Sequence, residues 1–75
     1  MLKGKRLNIL KKLGANIQSK RKSLGLTQEK LAELTDLHRT YIGMVERGEK
    51  NISINNLKKI SEALHISLSE LLKGI

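Results

Sequence analysis

One short stretch of this 75-residue sequence concentrates side chains suited to recognition of another molecule. Between residues 39 and 47, the apolar residues Ile42 and Val45 are three positions apart, which predicts a helix with one buried face. The opposite face then carries Arg39, Thr40, Gly43, Met44 and Arg47. Such a face can donate several hydrogen bonds, because each arginine side chain carries five N–H donors. The pattern therefore predicts a helix with a free polar face that can contact another molecule.

Side chains that support catalysis or metal binding are scarce. The sequence has no cysteine, which excludes disulfides, thiolate nucleophiles and thiolate metal sites. His38 and His65 are far apart in the sequence and lack a clustered carboxylate pair, so we expect no metal site. The sequence also lacks a nucleophile–base pair, a carboxylate dyad and a glycine-rich phosphate loop. We therefore expect neither an enzyme nor a bound cofactor.

The positive charge of the chain is concentrated near its N-terminus. The formal net charge is +8, and residues 1–28 contain eight basic residues and no acidic ones. Residues 29–75 contain seven residues of each sign. Such a field attracts a polyanion, either nucleic acid or an anionic membrane surface. A solvated basic segment that only aids solubility is the alternative interpretation.

Apolar spacing predicts a first helix that carries Leu10, Leu13 and Ile17 on one face. Three basic residues in its last turn suit the negative end of the helix dipole, and Gly25 is expected to end it. Gly14 lies inside the apolar stripe, where glycine lowers helix propensity. It therefore predicts either close approach of another helix or a helix that begins nearer Leu13.

Two short helices joined by a tight corner are predicted next. Thr27 is a suitable N-cap for the second helix, in which Leu31 and Leu34 are expected to face inward. The second helix should end near residue 35, and the third should run from residue 38 or 39 to residue 48. So few residues lie between them that the chain must turn sharply, and Asp36 is expected to adopt a left-handed backbone conformation.

Two further helices complete the predicted fold. Ser53 can cap a fourth helix, and Ser67 with Glu70 forms an S-x-x-E capping box at the start of a fifth. The fourth helix would bury its apolar residues Ile54, Leu57, Ile60 and Leu64. No stretch shows the sustained two-residue alternation of a half-buried strand. The sequence therefore predicts an all-α, compact five-helix domain.

The second and third predicted helices have the features of a helix-turn-helix. Ala32 lies where the two helices would cross, and a larger side chain there would push them apart. The space between them would be filled by Leu31, Leu37, Ile42 and Val45. The third helix then projects its polar face into solvent, and an α-helix fits the major groove of B-DNA. The alternative is an ordinary corner between two helices of a small bundle.

The segment from Leu13 to Leu72, about four-fifths of the chain, resembles a known family. It is similar to the helix-turn-helix domain of lambdoid phage repressors and Cro, of the xenobiotic-response-element type. The resemblance rests on the combination of GLTQEKLAE, VERGEKN and LKKISEALHISLSELL. Within the family, LHRTYIGMVERGEKNIS most resembles the controller proteins of restriction–modification systems. The resemblance implies a repressor-like DNA-binding domain that binds double-stranded DNA and regulates transcription, either as such a controller or as a phage-type repressor.

The resemblance also implies roles for individual residues. The positions implied to face base edges are Arg39, Thr40, Gly43 and Met44. The positions implied to contact phosphate or sugar are Gln28, Tyr41, Arg47, Lys50, Asn51, Ser53 and Asn55. The last helix is implied to form a homodimer interface through Leu68, Leu71, Leu72 and Ile75. A symmetric dimer of this kind is expected to bind an inverted repeat.

Several of these residues also have a simpler structural interpretation. Glu46 is expected to hold the motif together by bonding a basic residue such as Arg21, or a backbone group, rather than to contact DNA. Tyr41 could merely cover the edge of the core, and Met44 could be plain surface. Some of the C-terminal apolar residues could only close the monomer core. His38 stands where the family usually has a capping Ser or Thr, so it is expected to serve the turn.

Residues 1–12 lie outside the resemblance and are interpreted as a basic N-terminal extension of a domain at residues 13–75. They could form an arm along DNA, but an extension of the first helix is favoured. An antitoxin-like module that neutralises a partner protein and regulates its own synthesis is the alternative function. A membrane-surface protein is not expected, because the sequence lacks the large apolar anchors of such helices. The expected location is the cytoplasm.

Overall fold

The structure is a computed structural model that describes the backbone of residues 2–75 and the side chains of residues 9–75. Within this part of the chain it contains five helices and no strand. The helices are α1 (Leu2–Ser23), α2 (Gln28–Thr35), α3 (Arg39–Glu46), α4 (Ile54–Ala63) and α5 (Leu68–Leu71). The predicted all-α fold of five helices is confirmed.

Helix α1 begins well before the apolar stripe that predicted it. Leu13 and Ile17 are buried and Leu10 is half-buried, as the stripe requires. The backbone is helical from Leu2, which agrees with the favoured helical extension rather than with an extended arm. The side chains of residues 1–8, including the basic ones predicted to face a polyanion, lie outside the described residues. The domain boundary at residue 13 stays a prediction.

Gly14 allows α1 to approach the end of α3. A Cβ atom at this position would overlap the backbone carbonyl oxygens of Val45 and Glu46. Backbone atoms cannot turn aside as a flexible side chain can, so only glycine fits here. The predicted close approach of another helix is therefore confirmed, and the partner is the last turn of α3.

The predicted N-caps of α2, α4 and α5 are all formed. The hydroxyl oxygens of Thr27, Ser53 and Ser67 each accept a hydrogen bond from the backbone N–H three residues later, at 3.0, 3.1 and 3.0 Å. Each bond satisfies one of the amide groups that a helix N-terminus leaves without a partner. His38 precedes α3 in an extended conformation and makes no capping hydrogen bond with its side chain.

The corner between α2 and α3 depends on Asp36, whose φ and ψ of 57° and 34° lie in the left-handed region. The N–H of Asp36 donates to Glu33 O at 3.3 Å, and the N–H of Leu37 donates to Ala32 O at 3.1 Å. These bonds close the end of α2 in the manner of a Schellman motif. The predicted left-handed aspartate is confirmed, and it directs the chain into α3.

The core is aliphatic and is shared by all five helices. Its buried members are Leu13, Ile17, Leu31, Ala32, Ile42, Val45, Leu57, Ile60, Leu64 and Leu71. Helix α3 packs between α1 and α2, while α4 packs against α2 and α5. Leu37 is half-buried against this core, so the residues predicted to fill the helix-turn-helix lie where they were expected. One face of α3 is therefore held by the core, and Arg39 and Thr40 are exposed on the other.

Two core predictions were wrong. Leu34 is 50% exposed and Ile54 is 64% exposed. In α2 the buried arc is set by Leu31, Ala32 and Thr35, and Leu34 lies about 100° away from the centre of that arc at 100° per residue. Ile54 is the first residue of α4, whose buried residues begin one turn later at Leu57. The spacing of apolar residues identifies the apolar stripe of a helix, but it does not show how much of that stripe other helices cover.

Among the helices that the structure describes, none is long and apolar enough to cross a membrane. The described residues also contain no group of three or more His, Cys, Asp or Glu side chains that could hold a metal ion.

Candidate nucleic-acid interface

The exposed face of α3 is the best candidate for contact with DNA bases. Ile42 and Val45 are buried, whereas Arg39 and Thr40 are exposed at the start of the helix and Met44 is half-buried one turn later. Residues near the N-terminus of such a helix are the ones that reach base edges in the major groove. The structure brings Arg39, Thr40 and Met44 to this face, as a base-contacting role would require.

The orientation of α3 is fixed by a buried ion pair. Arg21 of α1 donates from Nε to Glu46 Oε2 at 2.6 Å and from Nη2 to Glu46 Oε1 at 3.1 Å. Its remaining nitrogen, Nη1, donates to the carbonyl oxygen of Leu26 at 2.7 Å. The two side chains are 8% and 1% exposed. The prediction that Glu46 holds the motif together through a basic residue is confirmed, and that residue is Arg21.

Two glutamines complete the environment of Glu46. Gln28 Nε2 donates to Glu46 Oε1 at 3.0 Å, and Gln18 Nε2 donates to the same oxygen at 3.3 Å. Burial raises the pKa of Glu46, but the hydrogen bonds from Arg21, Gln28 and Gln18 and the positive charge of Arg21 together lower it by more, so its pKa lies below the ordinary value of 4.5. Glu46 is therefore ionised at neutral pH and accepts hydrogen bonds only.

The carboxylate of Glu46 determines which way the Gln28 amide faces. Because a carboxylate cannot donate, the NH₂ group of Gln28 must face it. One amide hydrogen is used in this bond, and the second stays available to another acceptor. Gln28 was predicted to contact phosphate, and the structure leaves it a donor for that contact. The internal bond to Glu46 was not foreseen.

Each arginine of the exposed surface of α3 has a carboxylate neighbour. Arg39 Nε lies 3.4 Å from Glu29 Oε2, with both side chains more than half exposed. Arg47 donates to Glu49 from Nε at 3.0 Å and from Nη2 at 3.1 Å. The hydrogen bonds that Arg47 donates to the Glu49 carboxylate raise the pKa of Arg47 and lower the pKa of Glu49. Exposed pairs of this kind are weak, so both arginines can exchange partners.

Tyr41 covers the edge of the core, which is one of the two roles that the sequence left open, and its contact with DNA stays a prediction. Its ring is half-buried against the core, and its hydroxyl oxygen accepts a hydrogen bond from Asn56 Nδ2 at 3.2 Å. The hydroxyl hydrogen remains available as a donor. Asn56 was not singled out from the sequence, because nothing in its spacing links α4 to α3.

The segment between α3 and α4 is the second candidate contact surface. The residues predicted to contact phosphate in this segment and in the first turn of α4 are all exposed: Lys50, Asn51, Ser53 and Asn55. The hydroxyl oxygen of Ser53 accepts the capping bond, so its hydrogen is the group left to donate. At the N-terminal side of this segment, a Cβ at Gly48 would lie 2.8 Å from Lys11 Cγ, so α1 passes close by.

The structure does not support Gly43 as a residue that contacts bases. Gly43 is buried, and a Cβ at this position would face the Gln28 amide and the Arg47 guanidinium rather than open solvent. The helical pattern placed Gly43 on the polar face correctly. It could not show that neighbouring side chains cover that part of the face.

The predicted dimer residues divide into two groups. Leu71 is only 1% exposed and belongs to the core, so the prediction that it contributes to a dimer interface is not supported. Leu68 is half-buried against the core. Leu72 and Ile75 are 38% and 44% exposed, and they are the apolar side chains at this end that are free to contact a second copy.

A comparison with protein families decides the identity of the fold. A family model described as helix-turn-helix matches residues 17–71. This chain belongs to the helix-turn-helix family. The control protein C.SmaI of Serratia marcescens is 44% identical over 66 residues, which are 88% of this chain and 79% of that protein. The control protein C.BamHI of Bacillus amyloliquefaciens is 53% identical over 47 residues, which are 63% of this chain and 58% of that protein.

A solved structure of a related controller protein is also similar to this chain in fold and in sequence. The crystal structure of the restriction–modification controller protein C.AhdI from Aeromonas hydrophila matches with a TM-score of 0.81 and 45% sequence identity. The match covers 83% of this chain and 94% of that one. The resemblance to this family, and within it to restriction–modification controllers, is confirmed.

Proposed function

We propose that this helix-turn-helix protein, a DNA-binding transcriptional regulator, acts as a homodimer on an inverted-repeat operator in the manner of a restriction–modification controller. The observation that carries the proposal is the free face of α3. Arg39 and Thr40 are exposed there, while the opposite face is held by the core and by the Arg21–Glu46 pair. A rigid helix with exposed donors is what major-groove recognition requires.

Base recognition is assigned to three residues of α3. Arg39 donates two hydrogen bonds to O6 and N7 of a guanine. To do so it gives up its weak contact with Glu29. Thr40 and Met44 offer apolar groups to a thymine methyl. The contacts to phosphate and sugar are assigned to Gln28, Tyr41, Arg47, Lys50, Asn51, Ser53 and Asn55. These contacts position α3 but carry little sequence information.

Dimerisation supplies specificity that one short helix lacks. Eight residues of α3 offer only a few base contacts, too few to select one site in a genome. Leu72 and Ile75, with the edge of Leu68, form the proposed contact between protomers. In a symmetric dimer the two α3 helices enter successive major grooves about 34 Å apart. The operator is therefore an inverted repeat of two short half-sites.

The remaining features fit a regulator of this type. The chain acts by binding rather than by catalysis, its place of action is the cytoplasm, and residues 1–12 form a basic extension outside the domain. The charge of that extension adds attraction to the DNA backbone. The similarity to control proteins named C.SmaI and C.BamHI supports the assignment to regulation of a restriction–modification system.

Selection of binding sites from a random duplex pool tests this proposal. The whole chain is used at physiological salt, and the selected duplex is then titrated at several salt concentrations. We expect an inverted repeat, and a loss of affinity of about 10³–10⁵-fold between about 50 and 200 mM salt for 6–10 phosphate contacts. Recovery of no consensus would contradict the proposal and would favour the antitoxin-like function, in which the protein is held by a partner polypeptide.

A further inference from the structure

Two side chains from different parts of the helix-turn-helix meet over Gly43. A Cβ atom at Gly43 would lie 3.2 Å from Arg47 Nη1, and 3.8 and 3.9 Å from Oε1 and Nε2 of Gln28. Gln28 is the first residue of α2, and Arg47 follows the last residue of α3. The space that they share exists because residue 43 has no side chain.

Among the described residues each side chain keeps a donor that no hydrogen bond within the protein uses, and the Gln28 amide borders this space with both Oε1 and Nε2. Arg47 uses Nε and Nη2 to bind Glu49, and the nitrogen nearest Gly43 is the third one, Nη1. Gln28 uses one hydrogen of Nε2 to bind Glu46 and keeps the other. A phosphate has two non-bridging oxygens, which accept such hydrogen bonds, and those from a guanidinium are strengthened by its charge.

We propose that Gly43 is a positioning residue that allows Gln28 and Arg47 to bind a single DNA phosphate together. The inference rests on the proposed function and deepens it, since it replaces the predicted base-contacting role of Gly43 by a role in backbone contact. The buried carboxylate of Glu46 orients the Gln28 amide before DNA arrives, whereas the exposed Arg47 side chain pairs with Glu49 only weakly and leaves Nη1 free. Phosphate contacts of this kind fix the position of α3 on the duplex.

The substitution Gly43→Ala separates binding from folding. The atom that a new methyl group would meet most closely is the end of the flexible Arg47 side chain, which can move at little cost. Gly43 lies inside α3, where alanine has the higher helix propensity. We therefore expect the melting temperature to rise by about 4–8 °C while the affinity for DNA falls.

The experiment compares the unmodified chain with Gly43→Ala, Arg47→Ala and the double variant. Each is titrated against the selected operator and a scrambled duplex, by fluorescence anisotropy at several salt concentrations. We expect Gly43→Ala to weaken binding to both duplexes by about 10-fold for each protomer, the value of one charged hydrogen bond in each. We also expect the salt slope to fall by about 0.9 for each protomer. When Arg47 is already alanine, the further change Gly43→Ala should alter affinity by less than about two-fold, because the Arg47 side chain that the methyl group displaces is absent.

Four outcomes would overturn the inference. Unchanged affinity of Gly43→Ala would show that the shared space is not used. Loss of preference at one base position, with unchanged binding to the scrambled duplex, would restore a base-contacting role. Losses that multiply in the double variant would indicate a direct clash between the methyl group and DNA. A lowered melting temperature would show that alanine does not fit. Failure of the unmodified chain to prefer any duplex would instead contradict the proposed function.

Discussion

The Nε atom of Arg21 lies 2.6 Å from Oε2 of Glu46, and this buried pair connects the first helix to the last residue of the third. The carboxylate also holds the amide of Gln28 at the start of α2. One acidic side chain therefore links all three helices that form or support the proposed DNA-binding surface. Its loss should affect both stability and the position of α3.

Replacement of Glu46 by alanine should strongly destabilise the fold. The change leaves the buried charge of Arg21 without its partner, which costs about 3–5 kcal/mol in the free energy of unfolding. Urea denaturation followed by circular dichroism measures this loss. The control is the double variant Arg21→Met with Glu46→Leu, which removes both charges and should recover most of the lost stability. A cost below about 1 kcal/mol for Glu46→Ala would mean that the pair behaves as an exposed one.

The same carboxylate predicts how stability depends on pH. The folded-state pKa of Glu46 is lowered, so its contribution is fully present above the unfolded value of 4.5 and is lost as the pH falls through the folded pKa. We expect the free energy of unfolding to decrease below about pH 4.5. In Glu46→Gln this decrease should be shallower, although Glu49, whose pKa is also lowered by Arg47, remains. An equal slope in both proteins would contradict the assigned role of Glu46.

Two glycines inside helices should respond to alanine in opposite directions. At Gly14 the added methyl group would meet the backbone of Val45 and Glu46, so α1 and α3 must separate at a cost of about 1–3 kcal/mol. At Gly43 it would meet a flexible side chain, and alanine should stabilise the helix by about 1 kcal/mol. Thermal denaturation of Gly14→Ala and Gly43→Ala compares them directly. A Gly14→Ala protein as stable as the unmodified chain would contradict the close approach of α1 to α3.

Local signals in the sequence were sufficient for the elements of the fold. The caps at Thr27, Ser53 and Ser67 and the left-handed Asp36 depend on a few neighbouring residues, and all were predicted. The exposure of Leu34 was not predicted, because it depends on how α4 lies against α2 rather than on spacing within α2.

The candidate site was predictable to a smaller extent. The exposure of Arg39 and Thr40 follows from helical period and was predicted, and the Arg21–Glu46 pair was anticipated from the charge types alone. The bond from Gln28 to Glu46 was not predicted, because it joins residues 18 positions apart in the sequence whose contact depends on the angle between α2 and α3. The position of Gly43 beneath two side chains was missed for the same reason.

The exposed apolar end of the chain should hold the proposed dimer together. Leu72 and Ile75 are 38% and 44% exposed, and their burial between two protomers would remove apolar area from water. The double variant Leu72→Ala with Ile75→Ala should weaken the dimer by about 100-fold or more. Sedimentation equilibrium gives the dissociation constants.

The matched control for the dimer is Leu34→Ala, which removes an apolar side chain of 50% exposure from a different surface. It should leave the dimer unchanged. A similar loss in Leu34→Ala, or a monomer at all concentrations of the unmodified chain, would place the contact elsewhere.

The exposed face of α3 is proposed to contact DNA bases through Arg39. The most direct test repeats the selection from a random duplex pool with Arg39→Ala, and with Arg47→Ala as the control that removes a proposed phosphate contact. We predict that Arg39→Ala loses the preference for guanine at one position in each half-site and keeps the rest of the inverted repeat, at a cost of about 1–3 kcal/mol for each lost contact. Arg47→Ala should weaken binding while it keeps the full consensus. An unchanged consensus for Arg39→Ala would contradict the account.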